Sequence, residues 1–186
     1  MQRLDLVEGA KRTMSIEFSG GVTFHERVTL TRASADSSTS RNIGIVFELR
    51  GDVDSDALAM ATDRLNTRHD ALRTGFVVEG GAWTRQVHDH GGSLEVVDKS
   101  GGDSVEADAR AWLIEFGSKV CALDEPPLWR AALVRVGSER HYFAIVVDHV
   151  IGDHYSAAVI LTELGLLYGP LRRGEEARLP RAAQQR

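Results

Sequence analysis

The residues best suited to chemistry lie together in the segment Asp148-His149-Val150-Ile151-Gly152-Asp153-His154. An apolar run precedes the segment and a helical pattern follows it, which predicts a loop between a buried strand and a helix. His149 is a candidate general base, because an imidazole gains and loses a proton near neutral pH. Asp153 could cap the helix or bind an arginine. On spacing alone, a strand-end histidine bonded to the backbone and a plain helix cap stay open as alternatives.

The elements that must position this segment follow from periodicity and turn residues. Alternating or continuous apolar runs predict strands over 42–49, 72–78, 83–87, 94–97, 129–136 and 141–147. Apolar stripes predict helices over about 55–68, 105–120 and 153–168, and Gly169-Pro170 is expected to end the last one. The strand over 141–147 is apolar almost throughout, which is typical of a strand buried on both faces. The order predicts an α/β sandwich with a mixed sheet and about three main helices.

Composition narrows the class of protein. The chain has 186 residues, 42% hydrophobic, with a net charge of −5, which suits one compact domain and gives no basic stripe for nucleic acid. No apolar run approaches the roughly 20 residues that span a bilayer, and 1–13 lack the apolar stretch of a secretory signal. The single cysteine, Cys121, cannot form an internal disulfide and is interpreted as a packed residue. These features predict a cytoplasmic protein.

A longer pattern upstream of the histidine gives the sequence a family resemblance. Residues 68–76, Arg-His-Asp-Ala-Leu-Arg-Thr-Gly-Phe, resemble the RHExLRTxF motif of nonribosomal peptide synthetase condensation domains at nearly every position. His149 and Asp153 match the second histidine and the aspartate of that family's HHxxxDG motif. Residues 127–131 (Pro-Leu-Trp-Arg-Ala) and 174–180 (Gly-Glu-Glu-Ala-Arg-Leu-Pro) resemble two further family segments. The matches keep their order and spacing over about 42–182.

The resemblance implies a fold, an activity and partners. Condensation domains resemble two chloramphenicol-acetyltransferase-like lobes in a V, with the active histidine in a tunnel at their junction. This chain would be the N-terminal, donor-side lobe, which forms an amide or ester from a carrier-bound acyl thioester, with a second lobe from another chain or from a copy of this one. The alternative is a non-catalytic accessory that binds a carrier protein or synthetase partner. No cofactor is expected on the lobe itself, since phosphopantetheine would arrive on a peptidyl or aminoacyl carrier protein.

The resemblance also implies roles for single residues. His149 would be catalytic, and Asp153 would form a structural ion pair with Arg68, with Arg73 as the second choice of partner. The residues expected to line the site are Asp148, Gly152, His154 and Arg73.

The sequence departs from the family pattern at three places. Asp148 stands at the first motif histidine, and His154 stands at the motif glycine, where a side chain was not expected beside the loop. The family's early SxxQ motif is not recognisable in residues 14–30.

No metal site is expected: His88 and His90 flank Asp89 in a short turn, without a third ligand nearby in sequence.

The predicted organisation has three parts. Residues 1–41 are interpreted as an irregular N-terminal segment, with a polar loop at 34–40. Residues 42–169 would form the lobe that resembles the N-terminal lobe of a condensation domain. Residues 170–186 are a C-terminal tail that resembles the start of the crossover between the two lobes.

Overall fold

A computed structural model of the chain describes residues 16–35 and 41–180. The strands are β1 (Ile16–Gly21), β2 (Asn42–Arg50), β3 (Thr74–Glu79), β4 (Ala82–His88), β5 (Leu94–Asp98), β6 (Trp129–Gly137) and β7 (Arg140–Asp148). The helices are α1 (Phe24–Ala35), α2 (Ser55–Arg68), α3 (Val105–Ser118) and α4 (His154–Arg172), with a 3₁₀ turn at Asp70–Arg73. The predicted strands and helices of 42–169 are therefore present, with shifts of a few residues at their ends.

The main sheet has four strands in the order β2-β7-β6-β5. Strand β7 is antiparallel to both neighbours, whereas β5 runs parallel to β6, so this sheet is mixed as expected. Helices α2 and α4 cover one face, where Leu65, Leu164 and Ile145 belong to one buried apolar cluster. Helix α3 covers the other face, where Phe116 and Val146 belong to a second cluster. Strand β7 is consequently buried on both faces and central, which confirms the expectation drawn from its continuous apolar run.

A second sheet of three antiparallel strands has the order β1-β4-β3. The β3–β4 hairpin belongs to this second sheet, where β4 pairs with β1, and does not join the main sheet. The hairpin turn at Gly80-Gly81 places both residues at positive φ, 58° and 81°, which glycine adopts without steric cost. Sequence periodicity shows which segments are strands, but not which long-range partner each strand takes.

The interpretation of 1–41 as irregular is wrong for its described part, because 16–35 contain β1 and α1. In α1, Leu30 and Ala33 are the buried apolar residues, so the helix lacks a broad apolar stripe. Leu30 packs with Phe76, Leu128 and Val150 in one cluster, which joins α1 and β3 to the loop after β7. Residues 1–15 and 36–40, which include most of the expected polar loop, lie outside the described residues.

The C-terminal end of α4 also differs from expectation. The helix passes through Pro170 and ends at Arg172, and Gly174 then takes a positive φ of 70°. A proline this close to the end removes one N–H donor yet leaves the helix nearly complete, so Gly174 is the actual stop. None of the helices within 16–35 and 41–180 is long and apolar enough to cross a bilayer.

The segment 173–180 is held against the core by two of its residues. Ala177 is buried and Leu179 packs on the core between α2 and α4. The guanidinium of Arg64 donates to the Ala177 carbonyl at 2.8 Å. The expected tail is therefore partly in contact with the core, and 181–186 lie outside the described residues.

Candidate active site at the end of the central strand

The loop from 149 to 153 leaves the centre of the main sheet, between the last residue of β7 and the first of α4. Asp148 and Val150 are 1% and 2% exposed, whereas His149 between them is exposed. Two buried neighbours thus fix the backbone on either side of one accessible imidazole. The placement of His149 at the C-terminal end of a central strand agrees with the sequence prediction.

The imidazole of His149 is held in one orientation by its own loop. Its Nδ1 lies 2.9 Å from the carbonyl oxygen of Gly152. A carbonyl oxygen only accepts hydrogen bonds, so Nδ1 carries the proton and donates it. The other ring nitrogen, Nε2, has no hydrogen-bond partner among the described residues. In the neutral ring with its proton on Nδ1, Nε2 carries a free lone pair, which a general base requires.

A second imidazole faces His149 from α1. The rings of His25 and His149 have centroids 5.8 Å apart and are tilted by 54°. His25 was not found by the sequence analysis. The signal that could have located it is the helix start: Thr23 and Glu26 form a capping box, in which the Glu26 N–H donates to the Thr23 hydroxyl at 3.3 Å and the Glu26 carboxylate accepts from the Thr23 N–H.

The expected ion pair between Arg68 and Asp153 is wrong. Asp153 caps α4 and accepts from the backbone N–H and the hydroxyl of Ser156 at 2.8 and 2.9 Å. The backbone hydrogen bond from Ser156 is the largest cause that lowers the pKa of Asp153. Arg68 instead donates to Glu163 at 3.0 Å, and Glu163 lies about 15 Å further along α4 at 1.5 Å per residue. The Asp153 carboxylate is therefore hydrogen-bonded at the start of its own helix and not to Arg68.

Arg73, the second choice of partner, is also committed elsewhere. It is 8% exposed, and its guanidinium donates to Asp70 at 2.8 Å, to Glu17 and to the carbonyl of His88. These contacts join the 3₁₀ turn to β1 and β4. Arg73 therefore serves the second sheet, and neither its expected pairing with Asp153 nor its expected place in the site lining is found.

Of the other residues expected to line the site, Asp148 is buried away from it, whereas Gly152 lies in the His149 loop and His154 directly follows that loop. Asp148 is wrong as a lining residue, because its carboxylate is buried and bonded to Arg41 at 2.9 Å. Gly152 contributes its carbonyl to His149, and a Cβ there would come within 3.1 Å of the Ser156 Cβ. His154 is exposed at the first position of α4. No described residue other than glycine has a positive φ, so His154 replaces the motif glycine without backbone strain.

Neither the single cysteine nor a metal-binding cluster adds a reactive group to this loop among the described residues. Burial raises the pKa of the Cys121 thiol, although Arg130 donates to its sulfur at 3.1 Å and acts in the opposite direction. A buried thiol of this kind is poorly suited to nucleophilic attack. Within 16–35 and 41–180, no three histidine, cysteine or acidic side chains form a group that could hold a metal ion.

Comparison with known sequences places the chain in one family. The sequence model described as "Condensation domain" matches residues 23–184, starting at the capping box of α1 in the region where the SxxQ motif was not recognisable. The chain is 37% identical over 131 residues to cyclosporin synthetase of Tolypocladium inflatum, covering 69% of this chain and 1% of that protein. It is 30% identical over 155 residues to tyrocidine synthase 3 of Brevibacillus parabrevis, covering 81% and 2%.

Solved structures give the same fold. The starter condensation domain of rhizomide synthetase superposes with a TM-score of 0.82 at 18% identity, covering 88% of this chain and 40% of that one. The first condensation domain of the calcium-dependent antibiotic synthetase gives a TM-score of 0.79 at 21% identity, covering 89% and 41%. The chain thus spans less than half of these structures and a few per cent of the curated relatives.

Proposed function

The chain belongs to the condensation-domain family of nonribosomal peptide synthetases, and from that premise we propose that it is the histidine-bearing lobe of an acyltransferase. The reaction joins a carrier-bound acyl thioester to an amine or alcohol. His149 is the general base, and the acyl donor arrives on the phosphopantetheine arm of a peptidyl or aminoacyl carrier protein. The single observation that carries this proposal is the exposed His149, whose Nδ1 lies 2.9 Å from the Gly152 carbonyl oxygen and whose Nε2 has no hydrogen-bond partner among the described residues.

The proposed step uses that free nitrogen. As the acceptor amine attacks the thioester carbon, its proton passes to Nε2 of His149 while the C–N bond forms. The C–S bond then breaks, and the leaving thiolate of pantetheine takes that proton back from Nε2, so charge and atoms balance and His149 is neutral again. The Nδ1–H bond to Gly152 holds the ring in place and stabilises the imidazolium that forms in between.

A second lobe belongs to this proposal. Relatives of known structure are about two and a half times the length that this chain matches, since the match covers 40% of the rhizomide synthetase domain. Catalysis needs both substrates held in line and shielded from water, and His149 is exposed on this lobe. We propose that a second lobe, supplied by another subunit or by a copy of this chain, closes the site.

The alternative is an accessory that binds a carrier protein or synthetase partner without catalysis. Two replaced motif positions, Asp148 and His154, favour it. A further observation is the likeness to the X-domain of teicoplanin biosynthesis, with a TM-score of 0.73. That domain was solved in a complex with OxyB, so a protein of this fold can act as a binding partner.

One experiment separates the two functions. A carrier protein is loaded with an aminoacyl thioester and mixed with the 186-residue chain, a free amine and a second lobe supplied as a separate polypeptide. Product is measured in a single turnover for the wild type, for His149→Ala and for His154→Ala. Binding of the carrier is measured in parallel by a titration with a non-hydrolysable amide analogue.

The acyltransferase predicts that His149→Ala slows transfer about 10²- to 10⁴-fold, the usual contribution of a general base. His154→Ala is the matched control, another exposed histidine of the same loop region, and should retain the wild-type rate within about twofold. If the wild type binds the carrier but transfers nothing, the accessory function holds. If it neither binds nor transfers, both functions fail.

A further inference from the structure

A buried ion pair lies directly behind the His149 loop. The guanidinium of Arg41 donates to both carboxylate oxygens of Asp148, at 2.9 and 3.4 Å. The two side chains are 12% and 1% exposed. Asp148 also accepts the backbone N–H of Val150 at 3.0 Å. Charge and hydrogen bonds are therefore both satisfied for a carboxylate that is almost fully removed from water, which is the condition for a stable buried pair.

Arg41 holds the same loop through its backbone as well. Its carbonyl accepts the N–H of His149 at 3.0 Å. Asp148 meanwhile accepts the N–H of Ile151 on its own carbonyl at 3.1 Å. Three successive backbone N–H groups, those of 149, 150 and 151, thus end on Arg41 or Asp148, and the side-chain pair locks these two residues to each other.

No other ionic contact performs this task for the described residues of the loop. Asp153 uses its carboxylate to cap α4, and Arg68 uses its guanidinium on Glu163 and on the carbonyl of Pro180. The ion pair that the sequence pattern led us to expect at the far end of the loop is therefore replaced by one at its near end.

We propose that Arg41 and Asp148 are positioning residues that fix His149 for proton transfer, an inference that rests on the proposed function of His149. The aspartate at the first motif position is then a working substitution. It exchanges an imidazole for a carboxylate that pairs with Arg41, the residue immediately before β2. His149 remains the catalytic group, and the pair acts on it only through the backbone.

The test measures amide hydrogen exchange in the 186-residue chain, without substrate. The variants are Asp148→Asn, Arg41→Met, Arg41→Lys and the double variant Arg41→Met/Asp148→Asn. The amides of His149, Val150 and Ile151 report the loop, and the amide of Ile145, in the centre of β7, reports global opening. A pairwise coupling follows from the four-member cycle of Arg41→Met and Asp148→Asn.

Arg41→Met should raise exchange at 149–151 by about 10- to 100-fold, as expected when a buried charged group loses its partner, and change Ile145 much less. Arg41→Lys keeps the charge but not the two-pronged contact, so it should restore part of the protection. The double variant should lose less than the sum of the two single changes. Equal increases at the loop and at Ile145, or additive effects, would overturn the positioning role.

The transfer assay separates this inference from the proposed function. In an active assembly, Arg41→Met should slow transfer while carrier affinity stays within about twofold, because the altered residues are buried. If the wild type shows no transfer but the loop amides respond as described, the proposed function fails and the structural clamp stands. If transfer occurs and Arg41→Met leaves it unchanged, the positioning role fails alone.

Discussion

Two segments carry the family resemblance, and the protein uses them in different ways. In 68–76 the charged side chains are paired within the fold: Arg68 and His69 share Glu163, with Nε–Oε1 and Nε2–Oε2 distances of 3.0 and 2.6 Å. In 148–154, by contrast, His149 is exposed, and its Nε2 has no hydrogen-bond partner among the described residues. The longer and more specific pattern therefore belongs to the scaffold, and the shorter one holds the residue that we propose as the general base.

This difference has a physical basis. The pairs made by Arg68 and His69 connect the end of α2 to the middle of α4, so they set how α4 leaves the sheet. The start of α4 in turn fixes one end of the His149 loop through the Asp153 cap. Substitutions in the scaffold segment should therefore change stability first, whereas substitution of His149 should change transfer and leave stability intact.

The largest stability effect is expected at Glu163. Glu163→Ala leaves Arg68 and His69, which are 19% and 25% exposed, without their shared partner. We expect a loss of about 1.5–3 kcal/mol in the free energy of unfolding, the usual range for hydrogen bonds to charged groups, measured by urea denaturation. Glu163→Gln keeps the side-chain volume and one acceptor oxygen, so it should lose less. An unchanged midpoint in Glu163→Ala would break the distinction between the two segments.

A smaller effect is expected at the cap of α4. Asp153→Ala removes the acceptor of the Ser156 N–H and should cost about 1 kcal/mol, as helix caps generally do. Asp153→Asn still accepts that bond and should lose only a few tenths. Thermal unfolding of the three proteins gives the comparison. A loss of several kcal/mol in Asp153→Asn would instead indicate a buried ion pair, contrary to the structure.

The smallest effect is the pH dependence of the same cap. The folded-state pKa of Asp153 lies below its ordinary 3.8, chiefly because of the backbone hydrogen bond from Ser156. A lowered folded-state pKa adds stability above the unfolded value, and that stability is lost as pH falls through the folded value. The advantage of wild type over Asp153→Asn should therefore be constant near neutral pH and shrink below about 3.8. An advantage that grows with acid would contradict the assignment.

The sequence predicted the main sheet and its helices because their apolar periodicity is strong, as in the continuous run of β7. It also placed His149 correctly at the end of the central strand, because a buried strand that is followed closely by a helix start must be joined to it by a short loop at the sheet edge. It did not predict α1, whose buried residues are few, nor the separate sheet of β1, β4 and β3, because strand pairing between distant segments leaves no local pattern. The partner of Asp153 was wrong because a local helix cap competed with a distant arginine, and spacing alone could not decide between them.

The central claim is that Nε2 of His149 is the ring nitrogen that accepts the proton from the acceptor, and the tautomer of the neutral ring tests this most directly. In a ¹⁵N-labelled sample, two-bond correlations between the ring nitrogens and carbon-bound protons identify which nitrogen of His149 carries the proton, with His149→Ala used to assign the signals. We predict the Nδ1–H tautomer, bonded to Gly152. A ring that carries its neutral-state proton on Nε2 would contradict it, because the nitrogen facing the substrate could not then accept a proton.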